Sequence, residues 1–294
     1  MTLTTTLATC AQALASAQGL GLERLDAQLL LLHTLGQSQH GRAWLLTHDT
    51  DVLTDELAQQ FQALSQRRAA GEPLAYIVGR KEFFGLDLQV DHRVLVPRPD
   101  TETLVQWALE LLLTTAIAPT PETLNVLDLG TGSGAVALAI AHSLQVASRP
   151  ARLLAVDASM DALAVARANA ERLGLNNVQF LQSNWLAQVN PIGGRFTLIV
   201  SNPPYIANAD PHLAALTHEP LQALTAGADG LDDIRQIIKQ APAHLQAGGW
   251  LLLEHGYDQA ARVRELLTQQ GFQHVQSRQD LASIERCSGG QWPA

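Results

Sequence analysis

The amino-acid sequence predicts an α/β protein with a helical N-terminal region. Three observations support this prediction: apolar residues recur at helical spacing before Pro73, a strand-like pattern follows it, and short apolar strands alternate with amphipathic helices from Leu124 onward. Such alternation is typical of a mainly parallel sheet covered by helices. We therefore expect a helical domain over residues 1–72, a linking β-hairpin over residues 73–92 and an α/β domain over residues 93–294.

The N-terminal region shows helix start and stop signals. Helices are predicted over Leu3–Gln18, Glu23–Leu35, Arg42–Thr47 and Thr54–Arg68. Thr54 is a suitable N-cap, and glycines follow several of these segments. The sequence leaves two interpretations open, a structural cap or a docking surface for a partner. The hairpin that follows is predicted to consist of strands Tyr76–Val78 and Leu86–Val90.

The α/β region contains a series of short apolar segments that read as strands. They cover Leu124–Leu129, Arg152–Val156, Val178–Gln182, Phe196–Val200, Trp250–Glu254, Phe272–Ser277 and Leu281–Cys287. The segment Ile206–Gly230 shows no such pattern, and loops of this length are usually lids, binding loops or disordered.

The composition argues against several classes of protein. The chain has 294 residues, enough for two domains, and its formal net charge of −9 argues against binding to phosphate backbones. No apolar run reaches the roughly 18 residues of a membrane span. Met1–Gln18 lacks the basic and apolar segments of a signal peptide. The 2 cysteines form no CxxC pair and the 10 histidines show no zinc spacing, so we expect no metal and a cytoplasmic location.

The most informative stretch is Ser201-Asn202-Pro203-Pro204-Tyr205, which directly follows a buried strand. The prolines supply no N–H and keep the chain extended, so the Pro203 carbonyl has no regular partner. It lies beside the side-chain oxygen of Asn202, and two such acceptors suit a planar NH2 group. Tyr205 offers a flat face to a planar substrate. A strand end with a proline-rich turn is the simpler interpretation, but the combination favours a site.

A glycine-rich loop, Gly130-Thr131-Gly132-Ser133-Gly134, follows the first strand of the α/β region. It matches neither the dinucleotide fingerprint nor the P-loop, which favours a nucleoside with a zwitterionic tail. Asp157 ends the second strand and is placed to bind ribose hydroxyls or to precede a helix as a cap. Trp185 could cover an adenine ring or anchor the core.

Two motifs resemble those of known methyltransferases. Asp128–Gly134 is similar to the first motif of class I enzymes that use S-adenosylmethionine, and Asn202–Tyr205 resembles the motif of amino-methylating members. Further stretches resemble the HemK-type (PrmC) protein-glutamine methyltransferases. They are Pro73–Ile77, Glu82–Leu86, Pro97–Glu102, Asp229–Leu231 and Leu252–Gly256, and the likeness extends from about residue 23 to the end.

The resemblance implies a fold, a reaction and a set of site residues. The fold is a helical N-terminal domain, a hairpin and a Rossmann-like, seven-stranded methyltransferase domain whose last strand runs antiparallel. The reaction is N5-methylation of the glutamine side chain in the Gly-Gly-Gln motif of class 1 peptide-chain release factors, with S-adenosylmethionine as cofactor. The residues that match the family's cofactor contacts are Gly130, Thr131, Gly132, Ser133, Gly134, Asp157, Trp185 and Asn202; those that match its substrate contacts are Asn202, Pro203, Pro204 and Tyr205.

Three further expectations complete this interpretation. Asn202, Pro203 and Tyr205 are the predicted catalytic residues, with no general base assigned. Asn184 stands where the family often has Asp, which puts in doubt a role for a negative charge beside the adenine, and Asp100 stands where the family often has Glu. The chain is expected to act as a monomer, without direct nucleic-acid or membrane binding.

Two other functions remain open from the residues alone. The same two acceptors would serve an exocyclic amine of adenine or guanine in nucleic acid, although only Lys81 and Lys239 are lysines. A cofactor-binding interaction protein without activity is the other alternative. The C-terminal Gly289-Gly290-Gln291 repeats the target tripeptide, and we expect its glycines to end the last strand and Gln291 to follow without automethylation.

Overall fold

The computed structural model describes residues 8–114, 123–190 and 194–294. The chain divides into two compact units, residues 1–80 and residues 81–294. Part of the predicted helix Leu3–Gln18 lies outside the described residues. Across the described ranges, no helix combines the length and the apolar character needed to cross a bilayer.

The first unit is helical. Its helices are α1 (Cys10–Gly19), α2 (Arg24–Thr34), α3 (Trp44–Thr47), α4 (Asp55–Ala69) and α5 (Leu74–Val78). A capping box begins α1, in which the Thr9 hydroxyl accepts from the Gln12 N–H and the Gln12 side chain accepts from the Thr9 N–H. Thr54 caps α4 through the N–H of Leu57, as its sequence position predicts. The apolar faces of the helices meet in one core cluster that includes Leu31.

The predicted strand Tyr76–Val78 is wrong, because this segment forms the helix α5. Pro73 holds φ at −55° before the first turn, and its carbonyl accepts from the N–H of Tyr76 at 3.0 Å. Gly79 ends the helix in the left-handed region. Three β-prone residues are too few to override these start and stop signals. The hairpin strands are instead β1 (Arg80–Phe83) and β2 (Leu86–Gln89).

The second unit alternates strands and helices. Its further helices are α6 (Glu102–Leu113), α7 (Ala135–Val146), α8 (Met160–Leu173), α9 (Asp232–Gln240) and α10 (Ala260–Gln270). Its further strands are β3 (Leu124–Leu129), β4 (Ala151–Asp157), β5 (Val178–Gln182), β6 (Phe196–Ser201), β7 (Leu245–Glu254), β8 (Gln273–Gln279) and β9 (Glu285–Gln291).

In the described part of the chain these seven strands form one sheet with the order β5-β4-β3-β6-β7-β9-β8. The pairs from β5 to β7 are parallel, and β9 runs antiparallel to both β7 and β8. The predicted seven-stranded sheet with an antiparallel last strand is therefore confirmed. Chain order reverses direction at β3, the position where open α/β sheets bind ligands.

Alternate residues of the central strands face opposite sides of this sheet. Leu198 and Val200 belong to a core cluster with residues of α6 and α7, whereas Ile199 belongs to a cluster with residues of α9 and α10. All six residues of β6 are buried, so this strand holds the following Asn202 on a rigid base.

Two C-terminal details differ from the sequence prediction. Strand β9 begins at Glu285 rather than Leu281, because Asp280 accepts from the N–H groups of Ala282 and Ile284 and forms a turn there. Gly289-Gly290-Gln291 consequently lies inside β9 and does not follow it. The irregular segment between Ile206 and Gly230 contains two short 3₁₀ helices, Pro211–Ala215 and Leu221–Ala223.

Candidate active site

The carboxyl ends of β3, β4, β5 and β6 bring most of the predicted site residues to one cavity of about 260 Å³. Its lining includes Gly130, Gly132, Asp157, Trp185, Asn202 and Pro204. A smaller cavity of about 50 Å³ shares Gly130, Gly132 and Asn202 and adds Thr131 and Ser133. Asn202 therefore lies where the two cavities adjoin.

Backbone geometry explains the glycines of the loop that follows β3. Gly130, Gly132 and Gly134 have φ values of 72°, 54° and 86°, which side chains rarely adopt. A Cβ at Gly130 would lie 3.2 Å from the Trp185 ring. Gly134 lines neither cavity, and a Cβ there would lie 2.9 Å from Leu138 Cδ1. Gly134 thus permits the close packing of α7.

Asp157 is held by the loop that it faces. Its Oδ2 accepts from the N–H of Gly132 and its Oδ1 accepts from the N–H of Ser159, each at 2.9 Å. Burial raises the pKa of this carboxyl, and the two N–H groups oppose that shift. Each carboxylate oxygen retains acceptor capacity for a further hydroxyl. Both sequence interpretations of Asp157, ligand contact and helix start, are compatible with this arrangement.

Trp185 lies between the cavity and the core. Its φ of 48° is in the left-handed region, and its indole Nε1–H donates to Asp233 Oδ1 at 3.0 Å. The ring lines the cavity and also packs against the core cluster of α9 and α10. Asn184 lines the same wall with an uncharged side chain.

The Asn-Pro-Pro-Tyr segment leaves β6 with its acceptors free. In the part of the chain that the structure describes, neither Asn202 Oδ1 nor the Pro203 carbonyl accepts a hydrogen bond. Asn202 Nδ2 donates to Thr101 Oγ1 at 3.2 Å. Pro203 is buried, and neither it nor Tyr205 lines the cavity. The Tyr205 hydroxyl instead donates to Glu254 Oε1 at 3.4 Å.

Two buried carboxyl groups support this edge of the sheet. Burial raises the pKa of Asp128 to about 7, although the Thr131 hydroxyl and the Ala137 N–H both donate to its Oδ2. Burial likewise raises the pKa of Glu254 to about 7. Burial and the nearby Glu254 charge raise the pKa of Tyr205 far above its ordinary value, so its hydroxyl stays protonated.

Sequence reasoning assigned no role to several residues around the site. Arg98 forms an ion pair with Glu219, whose Oε2 also accepts from the Val96 N–H. Glu219 is 8% exposed, so this pair ties the segment after β2 to the long loop. Asp100, two residues after Arg98, likewise forms an ion pair with Arg286 at 3.2 Å. No local signal in the sequence links residues so far apart.

The residues around the cavity fit S-adenosylmethionine. The Trp185 indole lines the cavity opposite no bulky side chain at Gly130 and offers a flat face to a flat ring, and the Asp157 carboxylate has acceptor capacity for hydroxyls. Among the described residues there is no cluster of three His, Cys, Asp or Glu side chains that could hold a metal ion.

Comparisons with known proteins agree with the fold and the motifs. Residues 5–79 match the family model described as the PrmC N-terminal domain, and residues 105–279 match the methyltransferase small domain. A methyltransferase structure from Pyrococcus furiosus has a TM-score of 0.51 at 19% identity, covers 79% of this chain and 98% of that chain, and supports the fold alone. The fold and the family models together define a class I methyltransferase.

The curated relatives identify the family more narrowly. The release factor glutamine methyltransferase of Xylella fastidiosa is 48% identical over 275 residues, which cover 92% of this chain and 94% of that protein. The one from Burkholderia pseudomallei is 49% identical over 280 residues, which cover 92% and 93%. The chain belongs to the release factor glutamine methyltransferase family, and the resemblance read from the sequence is confirmed.

Proposed function

We propose that this protein methylates the N5 atom of the glutamine in the Gly-Gly-Gln motif of class 1 peptide-chain release factors, with S-adenosylmethionine as methyl donor. The observation that supports this most directly is the pair of unused acceptors at Asn202 Oδ1 and the Pro203 carbonyl. An unsubstituted glutamine amide carries two N–H hydrogens, which match two acceptors. The names of the curated relatives support the same substrate class.

The amide nitrogen is a poor nucleophile, because its lone pair is delocalised into the carbonyl. Acceptance of both N–H hydrogens by Asn202 and Pro203 would orient that nitrogen for an in-line approach. Such positioning can lower a barrier by several kcal/mol. Both oxygens would also stabilise the positive charge that grows on nitrogen. No general base is assigned to the reaction.

The cofactor part of the proposal names the residues that would hold S-adenosylmethionine. Asp157 would accept from the ribose hydroxyls, Trp185 would cover the adenine, and the loop Gly130–Gly134 would approach the amino-acid tail. When bound, the cofactor supplies an activated methyl group on a sulfonium. Asn202, which lines both cavities, would then face the methyl group and the substrate.

The proposal also covers the setting of the reaction. We infer that the protein acts as a monomer in the cytoplasm, where its release-factor substrate works with the ribosome. The formal net charge of −9 supports a protein substrate over a nucleic-acid one. The helical domain over residues 1–72 would serve as the docking surface for release factor, and residues 93–294 would form the catalytic domain.

The test compares three substrate classes in one assay. Purified protein is incubated with S-adenosylmethionine labelled on its methyl group and with release factor, with tRNA or rRNA, or with DNA. We expect label only on release factor, and a Gln→Ala change in its Gly-Gly-Gln motif should abolish the signal. Label on nucleic acid alone would replace this proposal with amine methylation. No label on any substrate would favour the non-enzymatic alternative.

A further inference from the structure

The side-chain amide of Asn202 can occupy its site in two orientations that differ in chemistry. Its contact with Thr101 Oγ1 could be made by Nδ2 as donor or, after a half-turn, by Oδ1 as acceptor. Only the first orientation leaves Oδ1 open for a substrate N–H. A hydroxyl can donate or accept, so Thr101 alone does not decide between them.

The group that can decide lies on the next strand of the sheet. Glu254 ends β7, and its side chain is buried at 1% exposure. Its Oε1 accepts from the Tyr205 hydroxyl, and the Thr101 hydroxyl lies close enough to oppose the pKa rise that burial causes in this carboxyl. Its Oε2 is buried and receives no hydrogen bond from any residue that the structure describes. A buried carboxylate in this state strongly favours any hydroxyl that donates to it.

We propose, building on the proposed function, that Glu254 and Thr101 are positioning residues that fix the orientation of Asn202. The carboxylate takes the hydroxyl hydrogen of Thr101, so the Thr101 oxygen can only accept. Nδ2 of Asn202 then donates to that oxygen, and Oδ1 is left to accept from the substrate amide. Thr101 ends a short 3₁₀ helix, Pro99–Thr101, Glu254 ends β7 and Asn202 follows β6, so only the fold brings the three side chains together.

The protonation state of Glu254 makes this positioning of Asn202 sensitive to pH. The groups that influence it are Asp100, Arg286, Tyr205 and the Cys287 thiol. Burial is the largest influence and raises the pKa of Glu254 to about 7. A protonated Glu254 could donate to the Thr101 oxygen. The Thr101 hydroxyl would then be free to donate, and it would no longer fix the orientation of Asn202. We therefore expect kcat to fall as the pH drops through this range.

Four variants test the proposal in the full-length protein. Thr101→Val keeps the shape but removes the hydroxyl, Thr101→Ser keeps the hydroxyl, and Glu254→Gln removes the charge. Thr197→Val is the matched control, because Thr197 is a buried threonine at the start of β6 that accepts from the Asn125 N–H. It stands five residues before Asn202, or about 16 Å along the strand.

The expected result is a split between turnover and binding. Thr101→Val should lower kcat about 10–100-fold, with the release-factor KM and cofactor affinity within about twofold of wild type. Thr101→Ser should have a kcat within about threefold of wild type, and the kcat of Glu254→Gln should lie between those of Thr101→Val and Thr101→Ser. Thr197→Val should leave kcat unchanged. The fall of kcat at low pH should weaken in Thr101→Val.

A second readout needs no methyl transfer. Isotope labelling of asparagine side chains allows the Asn202 NH2 signal to be assigned by its loss in Asn202→Asp. Thr101→Val and Glu254→Gln should shift that NMR signal, and Thr197→Val should not. An unmoved signal, or a Thr101→Val kcat within threefold of wild type, would overturn the positioning role. Failure of wild type to methylate release factor would instead overturn the proposed function, with the NMR result still deciding the orientation of Asn202.

Discussion

The N–H of Gly132 donates a hydrogen bond to Asp157 Oδ2, with 2.9 Å between nitrogen and oxygen. The other carboxylate oxygen accepts from the Ser159 N–H. This pairing joins the glycine loop after β3 to the end of the neighbouring strand β4. Because both oxygens face N–H donors, only a group with two acceptor atoms suits the position.

The first prediction is that Asp157→Asn weakens cofactor binding about 10–100-fold. The NH2 group of the new Asn would face the N–H of either Gly132 or Ser159, so that two donors would meet without an acceptor. The charged acceptor for a pair of hydroxyls would also be lost. Calorimetric titration with S-adenosylmethionine measures the change. Asp161→Asn, at an exposed position in the first turn of α8, is the matched control. Affinity within twofold of wild type would remove Asp157 from the cofactor site.

The second prediction concerns the two-acceptor arrangement. Asn202→Ala should slow single-turnover methyl transfer by roughly 10²–10³-fold, because one hydrogen bond to the developing charge is lost. Cofactor affinity should change little. Asn208→Ala, an exposed asparagine on the same loop, controls for a general effect on the segment. A transfer rate for Asn202→Ala within threefold of wild type would show that this side chain takes no part in the mechanism.

The third prediction tests how the long loop returns to Tyr205. A Cβ at Gly230 would lie 2.2 Å from the Tyr205 carbonyl oxygen, at a φ of +73°. Gln259 bridges the same place, because its Nε2 donates to the carbonyls of Tyr205 and Asp229. Gly230→Ala should therefore displace the loop and lower both stability and methyl transfer.

Gly174→Ala separates the steric clash from the backbone strain. Gly174 has a similar φ of +68°, and a Cβ there would meet nothing within 4 Å. Gly174→Ala should cost only about 1 kcal/mol of unfolding free energy, and Gly230→Ala should cost clearly more. Urea unfolding of both variants measures the difference. Equal losses would mean that the contact with Tyr205 does not constrain the loop.

The fourth prediction follows from the raised pKa of Asp128, about 7 in the folded protein against an ordinary 3.8. Between these values the folded state holds a proton that the unfolded state has released, so stability falls as the pH rises through this window. Asp128→Asn keeps one oxygen to accept from Thr131 and Ala137 and removes the titration. We expect the variant to gain roughly 1–3 kcal/mol relative to wild type between about pH 4 and about pH 8.

Urea unfolding at several pH values gives that comparison. Asp161→Asn is a suitable control, because it removes an exposed carboxylate of the same unit. A stability difference between Asp128→Asn and wild type that stays constant across the window would show that Asp128 titrates normally in the folded protein.

The sequence was sufficient for features that depend on local pattern. The bounds of β3 and β5 agree with the prediction residue for residue, because apolar runs between turn residues define them. The short helix α5 was missed, since three β-prone residues outweighed Pro73 and Gly79 in the sequence reading. The start of β9 was misplaced because the Asp280 turn shows no distinctive pattern.

The site residues likewise fall into those that the sequence pattern predicts and those that only the fold reveals. The residues of the glycine loop, Asp157 and Asn202 follow strand ends, and parallel strands bring their carboxyl ends to one edge. Thr101 and Glu254 lie within stretches that carry the family resemblance. Thr101 is 101 residues from Asn202 in the sequence, and Glu254 lies on β7, the strand next to β6. Only the three-dimensional fold brings these three side chains together.

The C-terminal tripeptide Gly289-Gly290-Gln291 has a structural explanation. A Cβ at Gly289 would lie 2.5 Å from Leu252 Cδ2 and 2.6 Å from the Leu251 carbonyl oxygen, so close strand packing requires glycine there. Gln291 pairs with Trp250 in the sheet, and its Nε2 donates to the Gly248 carbonyl at 2.9 Å. One N–H of this amide is therefore already used within the protein.

The last prediction is that this protein does not methylate its own Gln291. Transfer would require β9 to leave the sheet, and the amide would lose its hydrogen bond to Gly248 together with its ladder partners. In the proposed mechanism a substrate offers both N–H hydrogens to Asn202 and Pro203, which a sheet-bound amide does not. Intact-mass measurement after prolonged incubation with cofactor alone should show no added methyl group. A mass gain of one methylene unit that is mapped to Gln291, and is lost in Gln291→Ala, would show that β9 opens and that the tripeptide reaches an active site.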